Sequence, residues 1–166
     1  MGPVSATITI DAPRERVCDL ICDLSARPAF TDHFLSEYRL QRLDAFGVGA
    51  GARFQLGDSG RWMESVIVEV DVPHLVREEG RGGRGNRVRT YTVWELVEGP
   101  APGICEVTVS FWTESDHPLD RVKDPLRSSR WFGRQWRRAL ARLRETVESE
   151  GPIERIVVAG ADRLGA

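Results

Sequence analysis

Between residues 36 and 115 the chain alternates apolar and polar residues in six consecutive segments, and this run limits the fold more than any other feature. Successive side chains of a β-strand point to opposite faces, so such alternation predicts half-buried strands. The six segments are SEYRLQRLDA, ARFQLGD, RWMESVIVEVDV, HLVREEG, NRVRTYTVWELVEG and ICEVTVSFWTES. The connections between them are short and rich in Gly and Pro, which favours antiparallel pairing of sequential strands.

Further elements flank this run. The segment VSATITI (4–10) alternates in the same way and predicts a first strand. Asp11 and Pro13 then mark the start of a short helix, and residues 29–34 (AFTDHF) form a second one. The stretch RWFGRQWRRALARL (130–143) belongs to a long helix that follows the last strand.

The order of these elements predicts an α+β fold. A curved seven-stranded antiparallel sheet wraps around a long C-terminal helix, with two short helices after strand 1. One face of such a sheet must be covered, and only the C-terminal helix is long enough to cover it. The bent sheet and the helix enclose a volume that either side chains or a ligand fill. We predict a single domain over residues 1–151 and a tail of no clear pattern over residues 152–166.

Composition excludes several classes of protein. No apolar run approaches the ~18 residues of a membrane span, and MGPVSATITI lacks the basic start and apolar core of a signal peptide, so a cytoplasmic location is expected by default. Cys18 and Cys22 are too far apart at helical spacing for a disulfide. The spacing of Cys18, Cys22 and Cys105 also matches no known metal-binding motif. We therefore expect three buried thiols, no metal and no organic cofactor.

The C-terminal helix separates two kinds of side chain. Phe132, Trp136 and Leu140 fall within an arc of about 100°. Residues 127–144 also hold seven arginines and no acid, on the opposite side, with Trp131 among them. A single-strand nucleic-acid surface would interleave aromatics with arginines, and the net charge of the chain is −2. We therefore expect a solvated arginine face over a packed aromatic face. Nucleic acid or an anionic membrane surface is the lesser alternative.

Strand parity extends the aromatic face into a cavity wall. Val66, Val68 and Val70 share one side of their segment, which places Trp62 and Glu64 on the same side. Other inward-facing sets comprise Ala52, Phe54, Leu56, Thr90, Thr92, Trp94, Leu96, Val107, Val109 and Phe111. Plain core packing is the alternative for each aromatic. A ligand pocket of ~300–1,000 Å³ needs many such walls, so the prediction concerns the group.

Glu64 is the polar residue that this parity favours for chemistry. A carboxylate beside Trp62 and valines would have a raised pKa through desolvation, which suits a general acid or base. Tyr91 or Thr92 is its expected neighbour on the next strands. The alternative is a Glu64 that lies near the strand end, in water or paired with an arginine.

Three stretches resemble the SRPBCC superfamily, also called the START or Bet v 1-like helix-grip fold, with its polyketide cyclase/dehydrase-like bacterial members. They are ITIDAPRERVCDLICDLSARPAF (8–30), VWELVEGPAPGICEVTVSFWTE (93–114) and ALARLRETVE (139–148). The resemblance implies a mostly apolar internal cavity that takes lipids, sterols, polyketides, quinones or hormones. It also implies that the second short helix, with His33, borders the cavity entrance.

Two functions with the same cavity follow, and the sequence does not choose between them. One is a cofactor-free enzyme that cyclises or dehydrates a polyketide-like substrate, and the other is a carrier or sensor of a small hydrophobic molecule. The predicted catalytic residues are Glu64 and Tyr91. The predicted ligand contacts are Phe30, Phe34, Phe54, Trp62, Glu64, Thr92, Trp94, Phe111, Phe132, Trp136 and Leu140. A monomer and a homodimer are both compatible with the sequence.

Overall fold

The computed structural model describes residues 1–57, 60–83, 86–115, 125–149 and 151–158. Its strands are β1 (Val4–Ile10), β2 (Leu35–Leu40), β3 (Gly51–Leu56), β4 (Arg61–Asp71), β5 (Leu75–Gly82), β6 (Val88–Glu98) and β7 (Cys105–Ser115). Its helices are α1 (Arg14–Cys22), α2 (Pro28–Thr31) and α3 (Pro125–Glu148). The predicted order of elements is confirmed.

All seven strands form one antiparallel sheet in the order β1-β7-β6-β5-β4-β3-β2. Sequential strands pair as hairpins, and β1 closes the arrangement by pairing with β7, where Val4 lies opposite Phe111 and Ile10 opposite Cys105. The helix α3 packs against β1 and α2. The predicted helix-grip architecture is therefore present.

Irregular strand positions bend the sheet around α3. The pairing of β4 with β5 shifts between Ile67 and Glu69, and the pairing of β2 with β3 shifts between Ser36 and Arg39. A Cβ atom on Gly80 would lie only 2.0 Å from the carbonyl oxygen of Glu64. Glycine inside a strand commonly marks such a close backbone approach, so Gly80 lets β4 and β5 come together where the sheet bends.

Two predicted boundaries are corrected. The strand predicted over residues 36–45 ends at Leu40, because the chain then turns towards α1, where the Leu24 amide donates to the Ala45 carbonyl over 2.9 Å. The helix predicted over residues 29–34 is the single turn Pro28–Thr31, with Pro28 in the first turn.

The described part of the predicted tail lies against the domain. The Ile156 amide donates to the Ser25 carbonyl over 3.0 Å, and Arg155 forms an ion pair of 2.8 Å with Asp23. Ile153 packs against the core. Residues 159–166 of that tail lie outside the described residues.

The three cysteines are free and buried, as predicted. A hydrogen bond with Cys22, followed by burial, raises the pKa of Cys18, and burial raises the pKa of Cys105 to about 11. Cys18 and Cys105 are therefore protonated thiols that fill space in the core.

Candidate functional site

A cavity lies between the inner face of the sheet and α3. Its walls are Arg27, Phe34, Leu35, Tyr38, Phe54, Leu56, Met63, Ser65, Glu78, Thr90, Thr92, Phe111, Phe132 and Trp136. The cavity volume is about 30 Å³, room for about one water molecule. Side chains therefore fill most of the predicted volume, and a larger molecule enters only if the walls move apart.

The helix α3 supplies one wall through two aromatic residues one turn apart. Phe132 packs on Phe111 with ring centroids 4.7 Å apart, and Trp136 packs on Phe34 at 5.2 Å and on Trp94 at 5.5 Å. Residues at i and i+4 share one helix face. The four-residue spacing of Phe132 and Trp136 therefore places both rings on the face of α3 that packs against the sheet. The predicted packed face is confirmed, and its other buried members are Ala139, Leu140, Leu143 and Val147.

The opposite face of α3 carries the predicted arginines. The exposed ones are Arg130, Arg134, Arg137, Arg138 and Arg144. Arg142 differs from them, because it is half-buried and forms an ion pair with Asp32 beside α2.

A buried ion pair forms the polar floor of the cavity. Arg27, just before α2, and Glu78, in the middle of β5, lie 2.9 Å apart at Nη1 and Oε1. Their side chains are only 4% and 6% exposed. Arg27 also donates from Nη2 to the Ile21 carbonyl over 2.7 Å. The ring centroids of Phe30 and Trp94 lie 5.5 and 5.1 Å from its guanidinium carbon, so cation–π contacts and hydrogen bonds compensate a charge removed from water.

The Glu78 carboxylate is surrounded by donors. Its Oε1 accepts the Arg27 bond and a second one from Trp94 Nε1 at 2.9 Å, and its Oε2 accepts from the Ser65 hydroxyl at 2.8 Å. Alternation along β4, β5 and β6 brings these three strand residues to the inner face. These contacts fix the Glu78 carboxylate and, through it, Arg27 at the cavity wall.

Two buried donors at this site have no acceptor among the described residues. They are Nε1 of Trp136 and Nε of Arg27. Both residues line the cavity. Nearly all buried polar atoms in folded proteins are paired, so these two N–H groups set the site apart from ordinary core.

Tyr38 lies at the side of the cavity. Its ring stacks on Phe54 with centroids 5.8 Å apart and planes 5° from parallel. Burial raises the pKa of Tyr38 well above its ordinary value, with Arg27 opposing the shift. The phenol is therefore a permanent proton donor at neutral pH.

Six predicted ligand contacts line the cavity, and three others lie behind it. The six are Phe34, Phe54, Thr92, Phe111, Phe132 and Trp136. Phe30, Trp94 and Leu140 are buried without lining it. Phe30 and Trp94 instead hold Arg27 between them, with their own rings 6.3 Å apart.

A known protein family matches most of the chain. The model of a family described as polyketide cyclase / dehydrase and lipid transport matches residues 1–148 of the chain. The chain belongs to this family. A comparison with curated proteins finds no match. The resemblance to the SRPBCC superfamily is confirmed by this match and by the solved structures below.

The solved structures similar to this family member share its fold at low sequence identity. A START superfamily protein from Mycobacterium smegmatis has a TM-score of 0.64 at 14% identity, covering 88% of this chain and 97% of that one. Ginseng major latex-like protein 151 from Panax ginseng has a TM-score of 0.66 at 15% identity, covering 89% and 98%. DynU16, from the dynemicin biosynthetic locus, has a TM-score of 0.62 at 17% identity. That match covers 93% of this chain, which spans about half (49%) of the length of DynU16. At these identities the likeness shows the fold alone.

In this member of the polyketide cyclase / dehydrase and lipid transport family, the predicted placement of Glu64 and Trp62 is wrong. Met63 and Ser65 line the cavity instead, so alternation puts Glu64 and Trp62 on the outer face. Trp62 lies there under two guanidinium groups, with the one of Arg53 4.6 Å from its ring centroid. The valine run that gave the predicted parity is split, because Val68 is 38% exposed while Val70, beyond the irregularity between Ile67 and Glu69, packs against the core.

Tyr91 is also misplaced by the prediction. It stacks on Trp112 on the outer face, with centroids 5.1 Å apart and planes 13° from parallel, and its hydroxyl donates to Glu114 over 3.3 Å. Thr90 and Thr92, its neighbours on β6, face the cavity as predicted. Tyr91 therefore cannot reach a bound molecule.

Trp131 packs against two residues of the cavity wall. Its ring packs edge-on against Phe34, with centroids 6.2 Å apart, and against Phe132 at 4.9 Å. A Cβ atom on Gly57 would lie 3.5 Å from Trp131 Cζ2, so the indole reaches from α3 to the end of β3. Its position among the arginines is explained by this bridging contact.

His33 joins the end of α2 to α3. Its Nε2 donates to the Gln135 carbonyl over 3.2 Å, and its Nδ1 accepts from Arg142 at 3.4 Å. Burial is the main reason that the pKa of His33 is lowered, with the charges of Arg138 and Arg142 adding to it and Asp32 opposing. This neutral histidine fastens the α2 side of the cavity to the helix.

The sequence interpretation missed Arg27, Glu78 and Ser65. Glu78 shares strand parity with the buried Val76, which is a signal that the alternation of HLVREEG contains. Arg27 has no local signal, because its partner lies on a distant strand.

In the described residues, no helix is long and apolar enough to cross a membrane.

Proposed function

We propose that this protein encloses one small, largely apolar molecule between the sheet and α3, next to the Arg27–Glu78 ion pair. The observation that carries the proposal is a nearly complete burial of that pair at the wall of an otherwise aromatic cavity. A buried ion pair is on average no more stabilising than apolar residues of the same volume. A role in recognising a bound molecule therefore accounts for it better than stability does.

Binding requires the walls to separate. A cavity of about 30 Å³ is far below the ~300–1,000 Å³ of ordinary ligand pockets. Trp131 of α3 packs against the cavity-lining ring of Phe34 and lies next to Gly57 at the end of β3. The cavity opens when these rings move and the hydrogen bonds of His33 to α3 break. This movement needs little change in the backbone of the helices and strands.

A second candidate function is cyclisation or dehydration of a polyketide-type substrate in the same cavity. The family description names this chemistry beside lipid transport. Tyr38 favours it, since a protonated phenol at the cavity wall can donate to a substrate carbonyl. Glu78 is a poor candidate for the base, because three donors already occupy its oxygens. Arg27 would then stabilise developing negative charge on a substrate oxygen.

The binding proposal is tested with the neutral hydrophobic dye N-phenyl-1-naphthylamine and two variants of adjacent residues. Thr92 faces the cavity and Val93 faces outward on the same strand. Thr92→Phe fills the space and is expected to weaken dye binding at least tenfold, whereas Val93→Phe leaves it within twofold of wild type. Equal dye affinity in wild type and Thr92→Phe, with both variants folded, contradicts binding in this cavity.

Catalysis is separated from simple binding by a third variant. Tyr38→Phe removes the donor and keeps the ring stacked on Phe54. A cyclase loses turnover of a poly-β-ketone substrate while its affinity changes little. A carrier shows no turnover in either form.

A further inference from the structure

Two residues of the cavity wall carry an N–H group that has no hydrogen-bond acceptor among the described residues. An indole N–H can only donate, and Trp136 Nε1 has no acceptor among the described residues. Arg27 Nε also has no acceptor among the described residues. Trp136 is 5% exposed and Arg27 3% exposed, so bulk water does not satisfy either group.

The carboxylate at this site is already engaged. Glu78 Oε1 accepts from Arg27 and Trp94, and its Oε2 accepts from Ser65. A bound molecule therefore gains most by bringing an acceptor, and it finds the two unpaired N–H groups to receive it.

The charge balance narrows the class of acceptor. Arg27 is already neutralised by Glu78 at 2.9 Å. A carboxylate or phosphate on the bound molecule would add an uncompensated charge to a buried aromatic cavity, which is costly. A carbonyl oxygen accepts the same hydrogen bonds and adds no net charge.

We propose that the bound molecule is neutral and presents a carbonyl oxygen to Trp136 Nε1, with Arg27 Nε as the second donor. This inference rests on the proposed cavity-binding function. It makes Trp136 the residue that determines specificity for ketones, quinones, lactones or esters over hydrocarbons of the same shape.

The test compares isosteric pairs that differ only in C=O and C=CH₂. The pairs are acetophenone with α-methylstyrene and 2-acetylnaphthalene with 2-isopropenylnaphthalene. Each dissociation constant is measured by displacement of N-phenyl-1-naphthylamine from wild type. We expect the ketone of a pair to bind at least tenfold more tightly, because its oxygen satisfies a donor that the alkene leaves unpaired, an effect of roughly 5- to 150-fold.

The variant Trp136→Phe removes the N–H and keeps a ring, and it should reduce the ketone preference by about tenfold. The ratio of the two affinities is used because a general loss of packing weakens ketone and alkene alike. Trp112→Phe, on the outer face, is the matched control and keeps the wild-type ratio. A ratio near one in wild type, or a ratio unchanged in Trp136→Phe, overturns the inference.

Failure of the inference differs from failure of the proposed function. If both members of a pair displace the dye equally, cavity binding stands and the carbonyl preference is wrong. If neither the dye nor any member of the pairs binds, the proposed function and the inference both fail. If a carboxylate such as 2-naphthoate binds more tightly than 2-acetylnaphthalene, the neutral class is wrong.

Discussion

Arg27 Nη1 and Glu78 Oε1 lie 2.9 Å apart inside the domain, with their side chains 4% and 6% exposed. One residue precedes α2 and the other lies in the middle of β5. The pair therefore ties the start of α2 to the centre of the sheet and gives an aromatic cavity its polar side. Folding stability depends on this pair, and so does the recognition proposed above.

Removing one member of this pair should be strongly destabilising. Glu78→Gln leaves Arg27 charged and buried, and we expect a loss of about 3–5 kcal/mol in the free energy of unfolding in urea. The double variant Arg27→Met/Glu78→Gln removes both charges and keeps an acceptor for Trp94, so it should recover most of that loss. Glu64→Gln, on the outer face, is the control and should stay within about 0.5 kcal/mol of wild type. Equal stability of Glu78→Gln and Glu64→Gln would contradict the buried pair.

The outer-face residues that the sequence favoured should be dispensable for binding. Glu64→Gln and Tyr91→Phe change side chains on the side of the sheet away from the cavity. Each is expected to keep the dissociation constant of N-phenyl-1-naphthylamine within twofold of wild type. A tenfold loss of dye affinity in Glu64→Gln, comparable with that in Thr92→Phe, would show that Glu64 takes part in binding.

His33 should make stability depend on pH in the mildly acidic range. The folded state lowers the pKa of His33 below its ordinary value of 6.5, so the unfolded chain binds the proton more readily. Its contribution is complete above pH 6.5 and is lost as the pH falls through the lowered pKa. Asp32 and Asp23 also have lowered pKa values, but theirs start from 3.8 and act at lower pH.

Urea unfolding between pH 5 and pH 8 measures this effect. Wild type should lose stability on the acid side of pH 6.5, and His33→Gln should have a flatter profile in that window. A wild-type profile as flat as that of His33→Gln would show that protonation does not disturb the contact with Arg142 and Gln135.

Gly80 should not accept a side chain. An added Cβ would meet the Glu64 carbonyl oxygen at 2.0 Å and the Thr90 hydroxyl at 2.6 Å. The first is backbone, so the strands themselves must shift, and Gly80→Ala should cost about 1–3 kcal/mol of unfolding free energy. Gly2→Ala, which meets nothing within 4 Å, is the control. If the two variants are equally stable, β4 and β5 are not as close as described.

The sequence predicted the fold because its periodic signals are local and long. Strands β6 and β7 are regular over eleven residues each. The alternation of side chains along them therefore predicted correctly that Thr92 and Phe111 face inward. The helix face with Phe132 and Trp136 followed from the period of 3.6 in the same way. Where an element is regular, the pattern and the packing carry the same information.

The candidate site was predicted only in part because its polar chemistry depends on irregular and distant features. The register shift between Ile67 and Glu69 gives the two halves of β4 opposite parity, so Val70, which packs against the core, does not indicate the side on which Glu64 lies. The Arg27–Glu78 contact joins two elements far apart in the chain, and no local pattern encodes such a pair. The apolar wall was therefore accessible from the sequence, and the polar floor needed the structure.

The most direct test of the central claim uses the five tryptophans of the chain as reporters. Titration of the ¹⁵N-labelled protein with 2-acetylnaphthalene is followed by NMR of the indole N–H signals, each assigned by a Trp→Phe variant. Our account predicts that the signal of Trp136, at the cavity, shifts most, while those of Trp62 and Trp112, on the outer face, stay in place. Shifts confined to Trp62 and Trp112, or no shift of Trp136 at the solubility limit of the ketone, would contradict it.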